Sequence, residues 1–197
     1  MRTTRLEAFS DGVIAILITI MVLELHVPAG ADWTALRTIG PTLSAYVLSF
    51  VYLGIYWSNH HHLLQTVDRV TGGMLWANLH LLFWLSLVPF VTNWMGDNGH
   101  AALPTAMYGV VLICAGIAYN ILVRVIIHAQ GPHSKLKAAV GNDAKGNLSV
   151  VMYAAAIAAT YWRNEIAWAL YAGVALWWLV PDRRIERVLS PKERPCA

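Results

Sequence analysis

Along the chain, apolar residues neither alternate with polar ones nor recur in narrow stripes. They come in long blocks separated by short polar breaks. A helix needs about 20 such residues to cross the hydrocarbon of a bilayer. Six blocks are predicted to do so, at about 9–27, 39–60, 72–95, 103–127, 146–162 and 165–181. Pro28, Gly30 and Asp32 close the first block. Gly40-Pro41 opens the second, where proline suits a first helical turn. Gly96, Asp97, Asn98 and Gly99 form a loop between the third and fourth. The longest break runs from about 128 to 145. Pro89 stands inside the third block and predicts a kink there. Only Arg163-Asn164-Glu165 divides the last two blocks, which reads as a tight helical hairpin or as one bent, re-entrant element. No internal repeat or low-complexity segment is visible.

Composition points the same way. Of the 197 residues, 57% are hydrophobic and 13% charged, against about 25% charged in a soluble domain. The mean hydropathy is +0.52. This excludes a disordered chain, a coiled coil and a disulfide scaffold, and leaves too little polar surface to cover a soluble globule. Cys114 and Cys196 suggest neither a disulfide framework nor a metal cluster. The expected fold class is therefore an all-α integral membrane protein: one six-span domain over 1–197. The net charge of +3 reflects topology rather than nucleic acid binding. With the N-terminus inside, 12 of the 14 Lys and Arg residues fall on the inner side, and only Arg37 and Arg163 lie outside. That bias places both termini in the cytoplasm. A cleavable signal ending at Ala29-Gly30-Ala31 competes for the first block. It is disfavoured by Glu7 and Asp11, which sit where a signal is basic or apolar.

The first helix breaks several local rules. Thr4-Arg5-Leu6-Glu7 fits a capping box and predicts a helix start near Thr4. Glu7 and Asp11 then stand as like charges at i and i+4. Arg5 is a cation where the helix dipole disfavours one. Asp11 enters the membrane edge, where a carboxylate needs a partner. Interfacial residues that simply reach water are the plain alternative. Beyond Asp11 the helix is nearly all aliphatic, with Ile16, Ile20 and Leu23 on one stripe. Taken alone, such a stripe is more often a packing surface than a functional one.

Arg5-Leu6-Glu7-Ala8-Phe9-Ser10-Asp11 matches an R-x-x-x-F-S-D signature. Together with the run ending Val22-Leu23-Glu24-Leu25 and the stretch Tyr56-Trp57-Ser58-Asn59-His60-His61-His62, it resembles the TMEM175 family of potassium channels, in particular its single-unit prokaryotic members. The resemblance implies a homotetramer in the bacterial plasma membrane. It would pass potassium and, less well, other monovalent cations, with no cofactor. It also implies that the first helix of each subunit lines the pore, with Ile16 at the constriction and Ile20 and Leu23 as further rings. Thr19 would then offer a ring of hydroxyls. Rings of aliphatic side chains gate by dewetting or steric closure and cannot replace an ion's hydration shell as carbonyls do, so modest selectivity is expected. No TVGYG-type filter occurs in the chain.

Arg5, Phe9, Ser10 and Asp11 are expected to brace the pore helix rather than touch ions. Depth matching leaves several partners open for Asp11: Arg5 itself, Trp57, His61, His62 and Asn78. The consecutive His60, His61 and His62 lack the i, i+4 geometry of a helical zinc site, so no metal is expected. Trp33, Trp57, Trp94, Trp162, Trp177 and Trp178 fall near block ends, as in an interfacial belt, whereas Trp76 and Trp84 lie deeper and are expected to pack between helices. Small residues at Ala154–Ala159 suit close helix packing. The charged stretch Asp182–Arg187 is expected to extend the last helix into the cytoplasm, towards anionic lipid. Two other classes compete. A secondary transporter would show a repeat and a mid-membrane polar site, and Pro89 with Ser86 and Thr92 is the only pointer. A membrane hydrolase would need paired catalytic groups at one depth; Asp11 and His61 have no nucleophile beside them.

Overall fold

The structure is a computed structural model that describes residues 3–131, 134, 136–137 and 144–179. The expectations for the Asp182–Arg187 tail, Cys196 and the end of the sixth block lie outside the described residues. Eight helices form among the residues described: α1 (Thr3–Leu23), α2 (Trp33–Thr38), α3 (Gly40–Gln65), α4 (Gly72–Ser86), α5 (Val88–Asp97), α6 (Ala102–Gln130), α7 (Ala144–Ala159) and α8 (Asn164–Leu179).

Their ends follow from local chemistry. Pro41 occupies the first turn of α3, where a missing N–H costs nothing. Thr71 caps α4 by accepting from the Met74 N–H. Gly131 closes α6 with φ +75°, a conformation a residue with a Cβ rarely adopts. Residues Thr160–Arg163 join α7 to α8 as a tight hairpin. Pro89 interrupts the third block with a one-residue kink: α4 ends at Ser86 and α5 starts at Val88, and Leu87 between them keeps helical backbone angles. Proline cannot donate to the carbonyl four residues back and its ring clashes there. The Leu87 N–H turns to the Trp84 carbonyl at 3.2 Å, and the Thr92 hydroxyl bonds the Val88 carbonyl at 2.7 Å.

Two expectations need correcting. Thr4 does not cap α1, because Thr3 is already helical and its hydroxyl bonds the Val67 carbonyl at 2.8 Å. Trp76 does not pack between helices: it is 75% exposed. The helical phase that buries Met74, Ala77, Asn78 and Leu81 turns position 76 outward.

Thr3–Leu23, Gly72–Asp97 and Ala102–Gln130 are long and apolar enough to cross a membrane. The protein is thus a multi-pass helical membrane protein. Helix α3 is as long, but its Tyr, Trp, Asn and His residues lower its hydropathy. In the helix packing, α4 lies along α6, α3 along α5, and α6, α7 and α8 form a second group, with α1 resting on α3, α4 and α5. The core includes Leu53, Leu81, Leu85, Leu112 and Leu122. A polar seam runs through it. Ser49 Oγ lies 2.7 Å from the Thr92 hydroxyl and 3.1 Å from the Tyr108 hydroxyl. The Tyr52 hydroxyl donates to the Tyr171 carbonyl at 2.7 Å, and the Tyr171 hydroxyl donates to the Thr105 carbonyl at 3.1 Å. These bonds satisfy the hydroxyls inside the chain, as burial in hydrocarbon requires.

The closest approach in this packing is at Gly109. A Cβ there would overlap the Tyr171 hydroxyl and come within 2.7 Å of Ile157. At Gly116, on the same helix, a Cβ would meet only the Tyr56 hydroxyl, at 3.8 Å. Alanine gains about 1 kcal/mol of helix propensity over glycine, whereas overpacking costs about 1–3 kcal/mol. Gly116→Ala is therefore expected to be neutral or stabilising. Gly109→Val is expected to lower the thermal transition of the detergent-solubilised protein and its folded yield. Equal transitions for the two variants would contradict this packing.

Candidate functional site

Helix α1 has two unlike faces. Leu6, Ser10, Ile14, Leu17 and Met21 are buried against the rest of the chain. Phe9, Ile16, Ile20 and Leu23 are 51%, 56%, 38% and 81% exposed and fall on a single stripe by helical spacing. Only 28% of the most apolar stretch of α1 is buried within the chain, against 50% for Gly72–Asp97. The Thr19 hydroxyl spends its hydrogen on the Ile16 carbonyl at 2.9 Å, which leaves its oxygen lone pairs free to accept.

The buried face is fixed by a directional chain of hydrogen bonds. Asn78 Nδ2 of α4 donates to Ser10 Oγ at 2.9 Å, and Ser10 Oγ donates to the Leu6 carbonyl at 2.9 Å. Because the Asn78 amide nitrogen is used on Ser10, its oxygen is the atom facing His60 Nε2, at 2.6 Å. His60 must then carry its proton on Nε2, an assignment made by the network rather than seen. Ser10, His60 and Asn78 are all fully buried. One amide thus ties α1, α3 and α4 together at a single depth.

A second, more exposed layer sits one turn away. The Trp57 indole donates to Asp11 Oδ1 at 3.1 Å. His61 Nδ1 lies 2.8 Å from Glu7 Oε1, off the line of a good hydrogen bond, and His61 Nε2 lies 2.8 Å from the Gln65 amide nitrogen. The His61 ring stacks on Trp57 with centroids 6.1 Å apart. This layer holds the i, i+4 carboxylates of α1 against α3 and so accounts for two like charges on one helical face.

Of the partners considered for Asp11, the structure brings Trp57 to it. It sends Asn78 to Ser10 and His61 to Glu7. Arg5 is exposed, and neither it nor His62 has a hydrogen bond or ion pair to Asp11 among the described residues. The residue that sequence reasoning missed is His60. A signal for it existed: His60 continues the buried face of α3 through Leu53 and Leu64, at intervals of seven and four, whereas His61 and His62 leave that face. Across helices, Glu7, Asp11 and His61 bring one ligating atom each within 4.8 Å of one another. Trp57 and His61 already engage these carboxylates.

The protein is thus a multi-pass bundle whose first helix is held by a polar brace on one face and left bare and aliphatic on another. The family described as endosomal/lysosomal potassium channel TMEM175 matches residues 5–89, from the first residue of the α1 motif to the proline that kinks the third block. A potassium channel of Chryseobacterium sp. (strain P1-3) is 55% identical over 94% of this chain and 97% of its own. A potassium channel of Streptomyces collinus is 36% identical over 60% of this chain and 61% of its own. The crystal structure of a lysosomal potassium-selective channel TMEM175 homolog from Chamaesiphon minutus superposes with a TM-score of 0.77. It covers 95% of this chain and 98% of that one, at 24% identity. The chain belongs to the TMEM175 family.

Proposed function

We propose that this chain forms a passive potassium channel, a homotetramer in which α1 of each subunit faces the central axis. The observation that carries this reading is the bare aliphatic stripe of α1, set against a buried face held by Ser10, Asn78 and His60. Membership of a family of channels supplies the ion. Four copies of the stripe around an axis would make successive rings at Ile16, Ile20 and Leu23, separated by about 6 Å and then about 4.5 Å of helix rise. Ala8, Gly12, Ala15 and Thr19 follow a second stripe of small residues beside it, which suits close approach of neighbouring α1 helices. Water and ions would pass an Ile16 ring only when it is wide enough to stay wet. Selectivity then comes from how much hydration an ion must shed, helped by the Thr19 oxygens, and is modest.

In this reading the bundle has six spans, with both termini on the cytoplasmic side of a bacterial plasma membrane, and residues 1–197 form one domain. Helix α3 crosses by virtue of its burial among α1, α5 and α8. Its polar side chains gather towards its inner end at Asn59–His62. The channel needs no cofactor; its partners are identical subunits, lipid and permeant monovalent cations. The test is ionophore-coupled flux from potassium-loaded liposomes. A channel runs potassium down its gradient with no second ion gradient present. Flux that requires a counter-gradient of protons or sodium would overturn the reading in favour of a secondary transporter.

A further inference from the structure

Away from α1, a cleft of about 410 Å³ opens between α3, α6 and α7, with Trp178 of α8 at its rim. Its chemistry is graded from one end to the other. The deep end is made by Tyr52 and Ile55 of α3, Gly116 and Ile117 of α6 and Tyr153 of α7. The other end carries Asn59, Asn120, Arg124 and Asn147. Asn59, Arg124 and Asn147 share one level, with Asn120 about one turn deeper: Asn59 and Arg124 each stand six residues before the end of their helix, and Asn147 is three residues into α7. The Tyr119 hydroxyl donates to the Asn59 carbonyl at 3.2 Å and pins α3 to α6 there. Arg124 is exposed and has no ion pair among the described residues. The Lys145 ammonium, 4.5 Å over the Trp178 ring, adds a second cation at this end.

A cleft of this volume is ordinary for a small amphipathic ligand. An aromatic and aliphatic slot ending in a guanidinium at the level of a membrane surface complements a molecule with a long apolar tail and an anionic head. Guanidinium pairs with phosphate through two parallel charge-assisted hydrogen bonds. Basic pockets between spans on the cytoplasmic side are known to take anionic headgroups. We propose that this cleft holds an anionic phospholipid of the inner leaflet, with one acyl chain in the slot between α3, α6 and α7 and its phosphate at Arg124. The inference goes beyond ion conduction and stands on a different part of the bundle. Its readout is lipid occupancy, so it can fail while the channel reading holds, and the reverse.

The experiment is native mass spectrometry on the delipidated full-length protein, with phosphatidylglycerol, phosphatidylcholine or glycerol phosphate added back. Phosphatidylglycerol adducts are expected to survive activation that strips phosphatidylcholine. Arg124→Gln should lower phosphatidylglycerol occupancy about tenfold, the equivalent of roughly 1.4 kcal/mol, while Arg124→Lys retains most of it. Gly116→Leu should displace both lipids, because its side chain grows into the slot past a Cβ that meets only the Tyr56 hydroxyl. Glycerol phosphate in excess should not compete. Equal retention of the two lipids, or Arg124→Gln binding phosphatidylglycerol as the parent does, would overturn the proposal. So would competition by glycerol phosphate as effective as by the lipid, since it would mark a free-phosphate site.

Discussion

Ile16→Ala is expected to raise single-channel potassium conductance several-fold and to lower what discrimination the channel has between potassium and sodium. The side chain is 56% exposed on its own subunit, so truncating it removes little from the subunit's core. If four copies of α1 face the axis as proposed, it also removes three carbons from each of four side chains at the constriction. A wider, less apolar constriction stays wet more of the time and demands less dehydration of the ion. Ile14, two positions earlier, gives the contrast. It is 1% exposed and part of the core. Ile14→Ala leaves a cavity and is expected to cost about 2–5 kcal/mol of stability in the manner of a large-to-small core substitution, with no gain in conductance. Planar bilayer recording of both variants, with detergent melting curves beside it, checks the pair. The opposite assignment, a conductance rise for Ile14→Ala and none for Ile16→Ala, would mean that α1 presents another face to the axis.

Asn78→Leu is expected to damage both stability and flux. The substitution keeps the branched shape and heavy-atom count, removes both hydrogen-bonding ends of the brace, and puts methyl groups where the partners stand at 2.6 and 2.9 Å. His60 Nε2 loses its acceptor, and the Ser10 oxygen loses its donor. In water, each orphaned buried group would cost about 1–3 kcal/mol. Inside a bilayer, measured interhelical hydrogen bonds average about 0.6 kcal/mol with a maximum near 1.7, because the unfolded reference also finds partners. The lower scale applies here, so the two bonds together are worth roughly 1–3 kcal/mol. The functional loss should be larger than that energy suggests. Among the described residues, only this chain of bonds joins α1 to α3 and α4 through a buried side-chain amide, so without it α1 is freer to rotate and, in the proposed channel, to turn Ile16 away from the axis. The expected result is a folded protein with a lowered melting transition and strongly reduced passive flux. Wild-type flux from Asn78→Leu would separate the brace from conduction.

Much of the helical layout was legible because block length and the positions of proline and glycine carry it. Pro41 marks the start of α3, Gly131 the end of α6, and Pro89 the kink. The predicted end of the first block was too late by four residues: α1 stops at Leu23. Leu25 and Val27 continue the apolar composition, but Glu24 and His26 alternate with them and Pro28 follows. Hydropathy alone cannot distinguish such a segment from helix.

The brace was legible only by depth. Asp11, Trp57, His61 and Asn78 were all placed at one level, yet which of them meet depends on helix rotation. A rotation of one residue, about 100°, exchanges His60 for His61. The burial period of α3 settles that choice through Leu53 and Leu64. The lipid cleft had no sequence signal, since its residues come from separate helices and become neighbours only through packing.

The most direct measurement is the reactivity of a cysteine at position 16 during conduction. In a background with Cys114→Ser and Cys196→Ser, Ile16→Cys channels in a planar bilayer are exposed to a cationic methanethiosulfonate, with Val151→Cys as a control. Val151 is 63% exposed on α7, away from α1. If α1 lines the pore, the Ile16→Cys current falls irreversibly as the adduct forms, and the Val151→Cys current does not change. An Ile16→Cys channel that conducts yet fails to react, or that reacts to completion with its current intact, would contradict the placement of α1 at the axis.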